Sequence, residues 1–171
     1  MNTDEIDCVL RRALVALPVH FAGVFAADTV PSIRKYPTCF VVNTDPAANA
    51  GEHWVACYVT SPTGCEFFDS YGMPASAYLH IRLPLKVTKH NTASLQGIAS
   101  NACGHFCIYY LCKRAHGFSL ASIVRQLPYP NAVRCDSAVR RFVYNLTSSL
   151  RISRPCRGAC VGLQCCAKRV K

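Results

Sequence analysis

Three residues in this chain are of the types that carry nucleophilic catalysis, and their surroundings suit the task. His53 sits in Gly51-Glu52-His53-Trp54, Asp69 in Phe67-Phe68-Asp69-Ser70-Tyr71-Gly72, and Cys103 in Ala102-Cys103-Gly104-His105. A thiol attacks as its thiolate. It therefore needs an imidazole to take the proton and a carboxylate to hold that ring in one tautomer and stabilise its charged form. A fourth residue, Gln96, lies seven positions before the cysteine. Its carboxamide can donate to a developing oxyanion beside the backbone N–H of the nucleophile's own turn.

Each residue also has a plainer reading. A histidine beside a tryptophan serves as a half-buried strand residue, and Asp-Ser-Tyr-Gly serves as a turn. A cysteine in an apolar helix packs as a small hydrophobe, which is how Cys107 and Cys112 are read here. What points to chemistry is the joint occurrence in the order His, Asp, Gln, Cys, with a fitting element around each.

Those elements follow from periodicity and turn residues. Trp54–Thr60 and Cys65–Phe68 read as strands joined by Ser61-Pro62-Thr63-Gly64, a hairpin that brings His53 and Asp69 to one end. Ala102–Arg114 is apolar without alternation and free of proline, so it reads as a buried helix ended near Gly117. Cys103 then sits at the positive end of that helix's macrodipole, which favours the thiolate. Thr38–Val42 and Leu83–Thr88 read as further strands. Residues 4–17 form an amphipathic helix with Thr3 as N-cap and Pro18 as its stop. Ser119–Leu127 and Asp136–Ser149 complete the set, capped by Ser119 and by Asp136 or Ser137, with Pro128 and Pro130 between them.

Composition narrows the class. The chain has 171 residues, of which 51% are apolar, enough for one well-filled core and too many for a disordered segment. No window reaches ~18 apolar residues free of charge, so no spanning helix is expected. The 10 Pro and 9 Gly scattered through it exclude a coiled coil. Charge is lopsided: residues 1–81 hold 4 Lys/Arg against 8 Asp/Glu, and residues 82–171 hold 15 against 1. A face that basic suits non-specific contact with nucleic acid, weakening steeply with salt. The 12 cysteines do not read as a disulfide framework, which belongs to small secreted domains with little core. Ala13–Ala27 resembles a signal peptide only superficially, since Pro18 and His20 interrupt it. The expectation is mature sequence in a reducing compartment.

The motif residues resemble the adenovirus-type cysteine endopeptidases (adenain-like), of the same clan as the SUMO-specific and other ubiquitin-like-protein proteases. The match is carried by Gly51-Glu52-His53-Trp54, Phe68-Asp69-Ser70-Tyr71-Gly72, Leu95-Gln96-Gly97 and Ala102-Cys103-Gly104-His105-Phe106-Cys107. Phe21-Ala22-Gly23-Val24-Phe25 and Cys39–Thr44 extend it to roughly residues 4–118. It implies an α+β, papain-related fold, with a small mixed sheet flanked by helices and the nucleophile at the N-terminus of a buried helix. It further implies His53 as base, Asp69 as orienting acid, Cys103 as nucleophile and Gln96 in the oxyanion hole. Trp54, with Gly51 and Glu52, would line the substrate cleft. The activity implied is cleavage of viral precursor proteins at glycine-containing sites by a monomer in the host nucleus and the virion. Activation by DNA and by a short peptide is implied as well, and no cofactor or metal is needed for the chemistry.

Two departures from the family's pattern bear on these expectations. The adenoviral acid is commonly glutamate in Glu-Pro-Phe-Gly, where this chain has Asp69-Ser70-Tyr71-Gly72; aspartate is the acid of the SUMO-protease branch. Residues 66–102 contain no cysteine, so a disulfide to the activating peptide is not carried over. The domain is expected to span 1–150 and to be followed by a basic, Cys-rich tail over 151–171. There Cys156, Cys160, Cys165 and Cys166 have spacing too irregular for a standard zinc knuckle. Two alternatives remain: a deconjugating protease acting on ubiquitin or a similar modifier, and a non-enzymatic, basic DNA-binding protein.

Overall fold

The structure is a computed structural model and describes residues 1–152. The basic tail and its cysteines Cys156, Cys160, Cys165 and Cys166, with the zinc reading of their spacing, lie outside the described residues.

The first helix, α1 (Thr3–Leu14), is capped one residue earlier than expected. The Asn2 side chain accepts from the Glu5 N–H at 2.9 Å while the Glu5 carboxylate accepts from the Asn2 N–H at 3.0 Å, a reciprocal capping box. It also stops at Leu14 rather than at residue 17, because Pro18 disfavours helical dihedrals in the residue before it. Strand β1 (His20–Phe25) was hidden by its composition. Its residues are apolar from Phe21 to Phe25, so no polar alternation marks it, and Gly23, at φ +135°, sits at a register shift in the pairing with β2.

The remaining strands are β2 (Thr38–Asn43), β3 (Trp54–Ser61), β4 (Gly64–Phe68) and β5 (Val87–His90). They lie in the order β1-β2-β3-β4-β5, with β2, β3 and β4 antiparallel and the two edge pairs parallel. The expected hairpin is present as β3–β4. The expected strand at Leu83–Thr88 starts later, at Val87, since Pro84 removes a ladder donor.

The central strands are buried along nearly their whole length because both faces of the sheet are covered. On one face Cys39, Val41, Ala56, Tyr58 and Phe68 pack against Ile6 and Leu10 of α1, and against Phe106, Tyr110 and Leu111 of α2 (Cys103–Ala115). Val139 and Val143 of α4 (Ala132–Ser149) and Ile123 of α3 (Leu120–Arg125) close this layer. On the other face Phe40, Val42, Val55, Cys57 and Phe67 are covered by loop residues, among them Ile33, Tyr78, Ile81 and Leu85. The sheet is thus covered by helices on one face and by loops on the other, where helices flanking it were expected.

Helix α4 begins at Ala132 with Asn131 as cap, its side-chain Oδ1 accepting from the Arg134 N–H at 3.0 Å. The expected caps Asp136 and Ser137 therefore lie inside the helix. Asn131 immediately follows the Pro128–Pro130 turn and captures the first free N–H groups.

Helix α2 carries the nucleophile candidate at its first residue, and its register on the sheet is held from the far end. The Glu66 carboxylate accepts from Arg114 Nε at 2.8 Å and from the Tyr110 hydroxyl at 3.2 Å, and the Tyr110 ring stacks on Phe68 at 4.6 Å. Phe68, wholly buried, immediately precedes Asp69. Phe68→Ala is expected to lower the unfolding free energy by about 3–5 kcal/mol in urea titrations followed by circular dichroism.

Candidate active site

Asp69 leaves the end of β4 and is fully buried, so its charge must be met by donors. Four reach it. Oδ1 accepts from His53 Nε2 at 2.6 Å and from the Tyr71 N–H at 3.1 Å, and Oδ2 accepts from the Met73 N–H and the Tyr78 hydroxyl, each at 2.9 Å. The Asp69 backbone is clamped as well. Its N–H donates to Asn91 Oδ1 at 3.0 Å and its carbonyl accepts from Asn91 Nδ2 at 2.6 Å. Gly72 closes this loop at φ +76°, and a Cβ there would meet the Thr92 carbonyl at 2.7 Å. Burial by itself would raise the Asp69 pKa; the hydrogen bond and charge of His53 and the Tyr71 and Met73 amides bring it below the usual carboxylate range.

His53 precedes β3 and is 8% exposed. With Nε2 held by Asp69, Nδ1 is the nitrogen left for the Cys103 thiol, which interacts with the ring. Burial opposes a charged ring, but the bonds to Asp69 and Cys103 outweigh it and push His53 up to about 9. Burial also opposes the Cys103 thiolate. His53 and the backbone N–H groups of Trp54 and Gly104 more than offset it, so this thiol is lowered. Both shifts favour thiolate beside imidazolium. The other helix cysteines, Cys107 and Cys112, are buried and pushed up by desolvation, as inert core thiols are. The structure thus brings the histidine, the aspartate and the cysteine together.

Gln96 lies beside them in a tight network. Its Oε1 accepts from the Ser70 hydroxyl at 2.7 Å, and its Nε2 donates to the Ser100 carbonyl at 2.7 Å and to the Tyr71 hydroxyl at 3.1 Å. Its backbone N–H donates to the Ser70 carbonyl at 3.0 Å, which ties this loop to the one carrying Asp69. Of the three cleft candidates, Glu52 is exposed and shares with His53, Tyr71 and Tyr78 the walls of a groove of about 370 Å³. The Trp54 indole N–H donates to the Met1 carbonyl at 3.2 Å. Gly51, at φ +85°, backs onto Asn43, whose side chain a Cβ would meet at 2.5 Å.

Sequence reasoning missed Tyr71, Tyr78 and Asn91. The Tyr71 ring stacks on the His53 imidazole at 4.8 Å and Tyr78 follows at 6.1 Å. Tyr71 lay inside a motif already marked, so its position two residues after the acid was the available signal. Tyr78 and Asn91 come from loops with no local pattern.

No protein-family model matches the sequence, and no curated protein matches it. Among solved structures the chain is similar to the central domain of the uncharacterized Lpg1148 protein from Legionella pneumophila. That likeness has a TM-score of 0.51 and 15% identity, over 88% of this chain and 97% of that one. It is similar also to ChlaDub1 from Chlamydia trachomatis, at a TM-score of 0.43 and 17% identity over 60% of this chain and 50% of that one. The third is the ASFV protease, at a TM-score of 0.39 and 20% identity over 60% of this chain and 42% of that one. The chain therefore spans half or less of the length of the last two. The Legionella likeness is one of fold, and the resemblance to adenovirus-type enzymes rests on the motif residues alone.

The elevated imidazole value is directly measurable. In a proton-detected NMR titration the His53 ring is expected to lose its proton at about 9. Asp69→Asn should move that midpoint down, because it removes the neighbouring negative charge; an unmoved midpoint would contradict the pairing.

Proposed function

We propose that this chain is a cysteine peptidase with Cys103 as nucleophile, His53 as base and Asp69 as the acid that orients it. One observation carries the reading: the His53 imidazole is clamped through Nε2 at 2.6 Å by a fully buried carboxylate, and Cys103, the first residue of α2, interacts with the same ring. A core histidine and a core cysteine have no need of that arrangement.

The steps follow from the parts. The thiolate attacks the scissile carbonyl, whose π electrons move to oxygen. The backbone N–H of Cys103, at the open N-terminus of α2, takes the oxyanion together with a side-chain donor of the Gln96 network. His53, charged, gives its proton to the leaving amine as the C–N bond breaks and a thioester remains. Water then loses a proton to the same ring and attacks the thioester; the C–S bond breaks to release the acid and the Cys103 thiolate beside the recharged ring. This scheme works only while the imidazole is charged and the sulfur is not protonated. Activity should therefore fall as pH rises through about 9, and again in acid as the thiolate is protonated.

Within this class we favour an endopeptidase acting on viral precursor proteins at glycine-containing sites, as the motif residues suggest. We also favour non-specific contact with DNA. Asp136 is the only acid after residue 81, while Arg134, Arg140 and Arg141 on α4, and Arg82, Lys86 and Lys89 around β5, are exposed.

Iodoacetamide labelling followed by mass spectrometry tests the chemistry. Cys103 should react far faster than the buried thiols, and His53→Ala should abolish that selectivity. Cys103→Ala should abolish cleavage of a glycine-containing peptide while the fold persists; retained turnover would sink the assignment. Cleavage of a ubiquitin-like fusion with no cleavage of the peptide would mark a deconjugating enzyme instead. For DNA, log affinity should fall linearly with log salt, by about 0.9 per phosphate neutralised, in fluorescence anisotropy titrations. Salt-independent binding would overturn the phosphate-contact reading.

A further inference from the structure

Asp69 divides its donors between two oxygens. Oδ1 takes His53 Nε2 at 2.6 Å and the Tyr71 N–H at 3.1 Å, and Oδ2 takes the Met73 N–H and the Tyr78 hydroxyl, each at 2.9 Å. The two amides lie within four residues of Asp69 and come with its own turn. Tyr78 does not. It follows a single 3-10 turn (Ala75–Ala77), stacks on the His53 ring at 6.1 Å and leans on Phe67 at 6.4 Å. Burial and the Asp69 charge both raise its pKa, so the hydroxyl keeps its proton for the carboxylate. Apart from His53, it is the one donor to the acid that comes from a side chain.

Each bond that a carboxylate accepts draws off part of its negative charge and leaves less to hold a proton on the imidazole. That matters because His53 has to give its proton up. In deacylation the neutral ring takes a proton from water, and a base works best when its proton affinity lies near the working pH. A bare, buried carboxylate at 2.6 Å would keep the ring charged.

We propose that the Tyr78 hydroxyl tempers the catalytic base: by donating to Oδ2 of Asp69 it weakens the carboxylate's hold on the His53 proton, so that the ring is freed to activate water. The proposal rests on the cysteine-peptidase reading and deepens it. Tyr78 is then a positioning residue that acts through Asp69. Other titratable groups face the pair. Cys103 interacts with the ring, Cys107 and the Tyr71 hydroxyl feel the Asp69 charge, and Asp45, Glu52 and His80 line the groove beside it. Tyr78→Phe keeps all of these, and the ring on His53, and deletes one oxygen.

The test reads His53 in two states. With p-nitrophenyl acetate the Cys103 sulfur adds to the ester carbonyl and p-nitrophenolate leaves, giving an acetyl thioester. Water then loses a proton to His53 and adds to the thioester. The C–S bond breaks, releasing acetic acid and the thiolate beside the recharged ring. Deacylation quickens with pH as the ring loses its proton, so its midpoint reports His53 in the acyl-enzyme. In Tyr78→Phe this midpoint should rise by about one pH unit, slowing deacylation about tenfold at any pH well below it. The NMR midpoint of the free enzyme, near 9 in the wild type, should rise with it. With Asp69→Asn already in place, Tyr78→Phe should move neither midpoint, because the two residues act in series.

Midpoints that stay or fall in Tyr78→Phe overturn the proposal and leave the peptidase reading standing. A shift that persists undiminished beside Asp69→Asn also overturns it, since the hydroxyl would then act on the ring directly. In the wild type the Tyr78 ring carbon bearing the hydroxyl should itself follow the His53 midpoint in a carbon-detected NMR titration. A signal flat through that range overturns the proposal with no substitution made. A wild type in which Cys103 forms no acetyl thioester overturns both readings together.

Discussion

The site is organised around a single buried charge. A carboxylate with no exposure to water is tenable only if donors surround it, and Asp69 has four on its carboxylate oxygens and three further bonds on its backbone. Satisfying that charge accounts for the shape of the surrounding loops. The Gly72 turn aims the Tyr71 and Met73 amides inward, and Asn91, just beyond β5, staples the loop to the sheet edge. Orientation of the imidazole follows from the same demand, since His53 supplies the shortest of the four bonds to the carboxylate.

The helix that brings the sulfur is positioned by different means. Its N-cap, Ala102, makes no side-chain capping bond, which leaves the first N–H groups of α2 open at the place where negative charge is needed. Its register on the sheet comes from Glu66, Tyr110 and Arg114 at the other end, and from Gly104, where a Cβ would approach Ile6 of α1 to 3.0 Å. The Cys103 end is thus free of side-chain capping while the distal end is fastened. A reactive thiol at a helix terminus requires that division.

Much of this was readable in advance for identifiable reasons. The β3–β4 hairpin was announced by Pro62 and Gly64 between two apolar runs, and α2 by its unbroken apolar stretch. The strand β1 was not, because its apolar run shows no polar alternation, and the caps of α1 and α4 were misplaced because several neighbouring residues compete for that role. Pairing alone does not explain the meeting of His53 with Asp69. The ladder sets Phe68 opposite Ala56, so the acid continues opposite Val55, and only the bend after Phe68 brings it back to the ring.

By itself the order of residues determined which chemical groups are available and which local elements carry them, because residue type, turn signals and periodicity are short-range properties. Tertiary structure alone decided how protons are shared among those groups. Whether Gln96 has a free N–H, which ring lies on His53 and which hydroxyl meets Asp69 all depend on contacts between loops distant along the chain. Such contacts are set by burial and by the need to pair every enclosed polar atom, and no local pattern encodes them.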